Sequence, residues 1–355
     1  MAKKLFIPGP VNVAPEIFAA MSQPMIGHRM KEYAELHARV TANLKRMMET
    51  DDRTFLATSS AFGVMEGAVR NLVKGRCVNF CNGAFSDKWH EVTLRCGKQA
   101  DAVKVPWGQP ITAELVDQAL ATGTYDSFTL INNESSTGVF SPLEEIAQVL
   151  KKYPDVVSIV DTVSSMSASR LPVKELGIDC CIFGVQKALA LPPGLAIFTA
   201  SEKAIQRAKT VENRGYYFDF MEFVTNDDKH NTPSTPCISL IYGLDCQLQR
   251  IFNEGLEVRW GRHLQMAERT RAWAVERGFE LFAPQGARSV TLTCVANNRG
   301  VDLAGVKQRL GERGYAFDDG YGKIKGQTFR VAHMGDMQPA ELEEFLGLLD
   351  EELAR

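Results

Sequence analysis

The chain has no long apolar run. Nowhere do about 18 consecutive apolar residues occur, so no membrane-spanning helix is expected. It also lacks a charge excess. Against 43 acidic side chains stand 40 basic ones, a formal net charge of -3, which gives no electrostatic reason to expect nucleic acid or an acidic membrane as a partner. The N-terminus reaches Pro8-Gly9-Pro10 before any apolar segment of signal length develops. Cysteine is present but unpatterned. Cys77-Val-Asn-Phe-Cys81 is followed by no second Cys or His pair at zinc-site spacing, so no metal site is expected. Buried free thiols in a reducing cytosol fit this usage, and a cytoplasmic location is expected. Internal repeats and low-complexity segments are absent.

What is present is enough apolar residue for more than one core. With 355 residues, 45% hydrophobic and 23% charged, one large and one smaller domain are expected, here 1–245 and 246–355. Within the first, apolar runs at 54–57, 77–80, 102–105, 128–131, 156–160, 181–183 and 195–198 read as strands. Amphipathic segments at 63–73, 113–121 and 143–152 read as helices between them. Strands apolar throughout and alternating with helices predict an α/β fold whose sheet is mostly parallel and covered on both faces. Past residue 245 a long helix (256–277), strands near 289–295 and 329–332, and helices at 303–313 and 339–353 give the α+β layout of the smaller domain. The first residues, up to Gly27, are expected to be extended and turn-rich, packed across domains or subunits, because their proline and glycine oppose a helix.

In such sheets ligands bind beyond the carboxyl ends of the strands. Polar residues gather there. Ser59-Ser60-Ala61 follows the first strand, Asn132 to Gly138 the fourth, Asp161 ends the fifth and Lys187 follows the sixth. Lys187, in Gly184-Val185-Gln186-Lys187-Ala188-Leu189 before Pro192-Pro193-Gly194, is a lysine in apolar company. It is paired with an acid, snorkels to water, or serves as an amine nucleophile, and desolvation or a nearby cation would supply the neutral amine the last use needs. Asp161 is either a cap for the next segment or the acid that holds a pyridinium nitrogen, keeping a pyridoxal ring electron-poor. The turn Thr58-Ser59-Ser60-Ala61-Phe62-Gly63 offers a helix N-terminus that suits a phosphate, or a serine cap with no ligand; it is not a P-loop, having no Gly-Lys-Ser/Thr ending.

Together Pro8-Gly9-Pro10, Asn133-Glu134-Ser135-Ser136-Thr137-Gly138, Asp161, the Lys187 segment and Arg330 resemble the class V, fold-type I enzymes dependent on pyridoxal phosphate. The likeness is closest to the alanine–glyoxylate and serine–pyruvate aminotransferases, and it covers nearly all of the chain. It implies a Schiff base on Lys187, which also moves a proton, and Asp161 against the pyridine nitrogen. Ser60, Ala61, Phe62 and Gln186 would hold the phosphate, Ser135 the ring-hydroxyl side, and Phe85 would stack on the ring where relatives often carry tryptophan. Arg330 would clamp the substrate carboxylate as a bidentate pair, with Gly9 beside it. Relatives complete the phosphate site from a partner subunit with a Tyr and a Thr, positions that become Asn231 and Ser234 here, with Thr232 and Thr235 as neighbours that could substitute. A homodimer with shared sites follows from that likeness.

The reaction implied is ping-pong transfer of an amino group from alanine or serine to a 2-oxo acid such as glyoxylate or pyruvate. Met25-Ile26-Gly27-His28-Arg29 opens an alternative, since similar His-Arg pairs face the substrate phosphate in phosphoserine aminotransferases. His28 and Arg29 would then be anion contacts for phosphoserine or aspartate, or Arg29 would merely pair with an acid nearby. A lyase or desulfurase of the same fold is disfavoured by Phe85 at the stacking position and by the lack of a cysteine in a late flexible loop. A non-catalytic subunit is disfavoured by the intact Lys187, Asp161 and Arg330.

Overall fold

The computed structural model describes residues 3–354. The apolar runs form one seven-stranded sheet: β1 (Arg53–Ala57), β2 (Arg76–Cys81), β3 (Gln99–Lys104), β4 (Ser127–Ile131), β5 (Val157–Asp161), β6 (Cys180–Gly184) and β7 (Ala196–Ala200). The spatial order is β1-β7-β6-β5-β4-β2-β3. Every pairing is parallel except the two made by β7. Because β7 is antiparallel to both neighbours, β1 points the same way as β6, and the carboxyl ends of β1, β4, β5 and β6 lie along one edge. Register fixes the centre of that edge: Ile131, Asp161 and Ile182 sit side by side on three adjacent strands.

Period-two alternation sends successive side chains to opposite faces. Phe128, Leu130, Val160, Cys181 and Phe183 join one core, while Ile131, Ile159, Cys180 and Ile182 join the other. The first face is covered by α1 (Pro15–Met21), α2 (Lys31–Met48), α5 (Ala113–Leu120), α6 (Leu143–Leu150) and α9 (Ile238–Glu254). The second is covered by α3 (Ala61–Leu72), α4 (Ala84–Arg95), α7 (Glu202–Lys209) and α8 (Phe220–Asp227). With both faces buried, strands that are apolar throughout are what burial favours, at about 1.5–3 kcal/mol per large side chain. The division expected after residue 245 falls inside α9, whose Leu244, Leu248 and Ile251 belong to the first core.

The smaller sheet is β8 (Glu280–Leu281), β9 (Leu292–Ala296) and β10 (Thr328–Ala332), antiparallel throughout. Helices α10 (Leu256–Glu276), α11 (Leu303–Glu312) and α12 (Pro339–Leu353) enclose it around Trp273, Phe279, Val295, Phe329 and Phe345. Among the described residues no helix is long and apolar enough to cross a membrane.

The N-terminal segment departs from expectation. Residues Pro15–Met21 are helical because proline stands at the first helical position, where its missing N–H is not needed. Gly243 of α9 admits this helix closely, since a Cβ there would lie 2.9 Å from Met21 Cγ. The residues before it pack against the C-terminal part of the chain. Lys4–Leu5 pairs in parallel with Tyr315–Ala316, and Phe6 stacks on Phe345 with ring centroids 3.9 Å apart.

Candidate active site

Lys187 stands three residues past the end of β6, in a tight turn closed by Ala190 N–H donating to its carbonyl at 2.9 Å and Leu191 N–H to the Val185 carbonyl at 3.0 Å. Arg259, itself buried, donates from Nη2 to the Ala188 carbonyl at 2.6 Å and so fixes the turn from the small-domain side. The Lys187 side chain is buried. Its Nζ donates to the Pro8 carbonyl at 2.5 Å and lies 3.4 Å from Ser135 Oγ, with no acid in ion-pair contact among the described residues. Burial, then the charge of Arg330, lowers its pKa to about 8, with Asp161, Glu134 and Asp318 pulling the other way. Gly9, at φ +89°, is what lets the N-terminal segment come so near: a Cβ there would lie 2.9 Å from Lys187 Cδ.

Asp161 ends β5 and is also buried. Among the described residues its carboxylate accepts one hydrogen bond, from Val163 N–H to Oδ1 at 2.6 Å. Burial dominates this poor solvation and pushes the carboxyl up to about 7. The capping reading is therefore partly met, by a turn of two residues, but it leaves the carboxylate short of a donor. Asn133 beside it donates from Nδ2 to Thr291 Oγ1 at 2.9 Å and to the Ser164 carbonyl at 3.2 Å, while its buried Oδ1 accepts nothing.

These groups line one narrow cleft of about 110 Å³, together with Ser60, Ala61, Phe62, Phe85, Ser135 and Gln186. Ser60 precedes α3 in extended conformation and makes no side-chain cap bond; Gly63 N–H donates to the Ser60 carbonyl at 3.0 Å, and Ser60, Ala61 and Phe62 bring a helix start uncapped by any side chain to the cleft. Phe85 is placed by Glu134, a buried carboxylate that accepts from Ser86 N–H at 2.9 Å and from Ser136 N–H at 3.1 Å, tying the start of α4 to the Ser135 loop. Gly83 makes that approach possible, because a Cβ there would collide with Glu134 Cγ.

Arg330 enters from β10 and is buried. Its Nη1 donates to the Ser135 carbonyl at 2.7 Å, so Ser135 links it to Lys187. Its Nε and Nη2 are held by Asp318 at 2.8 and 2.7 Å. Tyr321 stacks on Phe85 with centroids 5.1 Å apart and lies 5.3 Å from the Arg330 guanidinium. Asp318, Tyr321, Glu134 and Asn133 are additions to the side chains given individual roles from the sequence.

Five of the expected contacts are not among the residues lining the cleft: Gly9 and Arg330 touch its lining residues Lys187 and Ser135 without lining it, and Ser234, His28 and Arg29 lie elsewhere. Ser234 lines a separate small hollow with Thr58, Tyr217, Thr232 and Thr235. His28 and Arg29 lie in the turn before α2, Arg29 exposed, and neither lines the cleft. Two larger surface hollows, of about 420 and 580 Å³, border the N-terminal segment and the Arg250 region. Their charges answer one another, as in Arg259 with Glu254 and Asp336, and Arg262 with Glu254.

The cleft residues fit a pyridoxal phosphate by their chemistry. A carboxylate short of a donor suits a protonated ring nitrogen, an unclaimed helix start suits a phosphate, and a lysine with depressed pKa suits a carbonyl carbon. The sequence model of the family described as aminotransferase class-V matches residues 19–323. An uncharacterized aminotransferase of Methanocaldococcus jannaschii is 37% identical over 94% of this chain and 88% of its own. A serine–glyoxylate aminotransferase of Arabidopsis thaliana is 31% identical over 95% of this chain and 87% of its own. The crystal structure of an alanine–glyoxylate aminotransferase from Nostoc superposes with a TM-score of 0.93 at 26% identity, covering 99% of this chain and 96% of the other.

Proposed function

The chain belongs to the class V aminotransferases, with pyridoxal phosphate as cofactor, and on that premise we propose that its donor is a small amino acid, alanine or serine, and its acceptor a small 2-oxo acid such as glyoxylate or pyruvate. The observation that carries this reading is Arg330 beside the cleft, where its guanidinium bonds to Ser135, whose hydroxyl Lys187 also contacts. A donor with a single carboxylate and a short side chain needs no second cation there.

Bound, the cofactor draws electrons from the carbon that carries the amino group, so that a proton can leave it. The rest belongs to the chain. Lys187 supplies an amine that is uncharged near neutrality in a useful fraction and can take a proton at Nζ and return it. Asp161 would hold positive charge on the ring nitrogen, Phe85 would cover the ring, and the start of α3 with Gln186 would receive the phosphate. Arg330 orients the carboxylate. In a ping-pong sequence the first product leaves before the acceptor enters, so one carboxylate site serves both.

The reading extends to a homodimer in which Ser234 of a second copy reaches this cleft. A half-reaction screen tests the substrate assignment: the cofactor-loaded enzyme is mixed with alanine, serine, aspartate and phosphoserine singly, and the loss of its visible absorbance is timed. Alanine and serine are expected to react fastest. If phosphoserine or aspartate wins, and loses its advantage in Arg29→Ala, the donor is anionic and His28-Arg29 reads it.

A further inference from the structure

The Arg330 guanidinium has five N–H groups, and three are already spent inside the protein. Asp318 takes the Nε and Nη2 edge through two bonds of 2.8 and 2.7 Å, and Ser135 takes one N–H of Nη1. One N–H on each terminal nitrogen is left over. We propose that Asp318 is a positioning residue for the substrate carboxylate: it holds Arg330 by one edge so that only those two remaining donors are free to meet it. This rests on the reading of Arg330 as the carboxylate clamp.

Asp318 is itself held in place. Its backbone pairs with Arg330, whose N–H donates to the Asp318 carbonyl at 3.0 Å, and Gly320 N–H donates to Oδ1 at 2.9 Å. Asp319, next in sequence, is not interchangeable with it, since that carboxylate faces Lys307 at 2.6 Å. A planar fork gripped along one edge cannot swing, whereas the same fork tied only to the Ser135 carbonyl could rotate about its terminal bonds. Asp318 also balances the Arg330 charge, so Arg330 offers two aimed donors rather than a loose cation.

The test uses three ligands on the cofactor-loaded enzyme. Alanine carries both amine and carboxylate, propionate only the carboxylate, and ethylamine only the amine. In Asp318→Asn, kcat/KM for alanine and the calorimetric affinity for propionate should each fall on the order of 10- to 100-fold, the scale of a misplaced orienting group. The spectral reaction of ethylamine should stay within about twofold, as no carboxylate is read. Equal losses for all three ligands, or none, would overturn the proposal. Arg330→Lys separates the two readings. If it leaves alanine and propionate unaffected, the clamp assignment of Arg330 fails first; if it weakens both while Asp318→Asn does not, only the role of Asp318 fails.

Discussion

The two sides of the site are built on opposite principles. The wall formed by the parallel sheet leaves polar groups short of partners: Asp161 with one backbone donor, Asn133 Oδ1 with none, Lys187 with its charge disfavoured. The side carrying Arg330, which touches the cleft's Ser135 and Phe85 without lining it, is paired: Arg330 is bonded by Asp318 and Ser135 and flanked by Tyr321. An unsatisfied buried group costs stability, which a ligand that completes it offsets. A satisfied one keeps its geometry whether or not a ligand is present. The sheet side thus stores affinity for the cofactor, and the small-domain side stores orientation for the substrate.

This contrast can be broken at four points. The largest effect belongs to Lys187→Ala, which should lower turnover by more than about a thousandfold and remove the visible band of the cofactor-loaded enzyme. Retention of both would end the assignment of Lys187.

Next is Asp161→Asn, whose effects should have opposite signs with and without cofactor. Loaded enzyme should lose on the order of a hundredfold in turnover. Cofactor-free protein should gain thermal stability. The Asp161 carboxyl titrates near 3.8 when unfolded and about 7 when folded, so the folded state binds the extra proton between those values. Its contribution to stability is full below 3.8, falls as pH rises, and is lost above about 7. Melting curves of the cofactor-free form at about pH 8 should therefore favour the amide variant over the parent, and the advantage should vanish near pH 4. A lower melting temperature for the variant at both values would show that Asp161 is satisfied after all.

A smaller loss is expected at Gly9→Ala. The added methyl would meet Lys187 Cδ at 2.9 Å in a left-handed conformation, so turnover should drop about tenfold and stability by about 1 kcal/mol, read by steady-state kinetics and denaturant titration. The smallest belongs to Ser234→Ala, which on the homodimer reading removes one hydrogen bond to the phosphate and should weaken cofactor binding about fivefold, as one bond of about 1 kcal/mol allows. No change in the fluorescence-titrated affinity would leave that contact to Thr232 or Thr235.

Legibility in the sequence follows the same divide. Strands buried on both faces announce themselves as apolar runs, and the loops at their carboxyl ends carry Asp161, Lys187 and the Asn133–Gly138 segment in plain order. The small-domain wall is another matter. Nothing in Phe317-Asp318-Asp319-Gly320 tells which aspartate grips Arg330 and which faces Lys307; only the antiparallel bridge between Asp318 and Arg330 decides it. Glu134 reads as one more polar loop residue until its two oxygens are seen to cap α4 and the Ser135 loop together. The helix Pro15–Met21 stays hidden as long as its proline is read as a breaker, whereas at the first helical position it is an initiator.

Borohydride reduction of the cofactor-loaded enzyme, followed by peptide mapping by mass, tests the central claim most directly. The account predicts one pyridoxyl phosphate adduct per chain, on Lys187. An adduct on another lysine, or none on a protein that binds the cofactor, would contradict it.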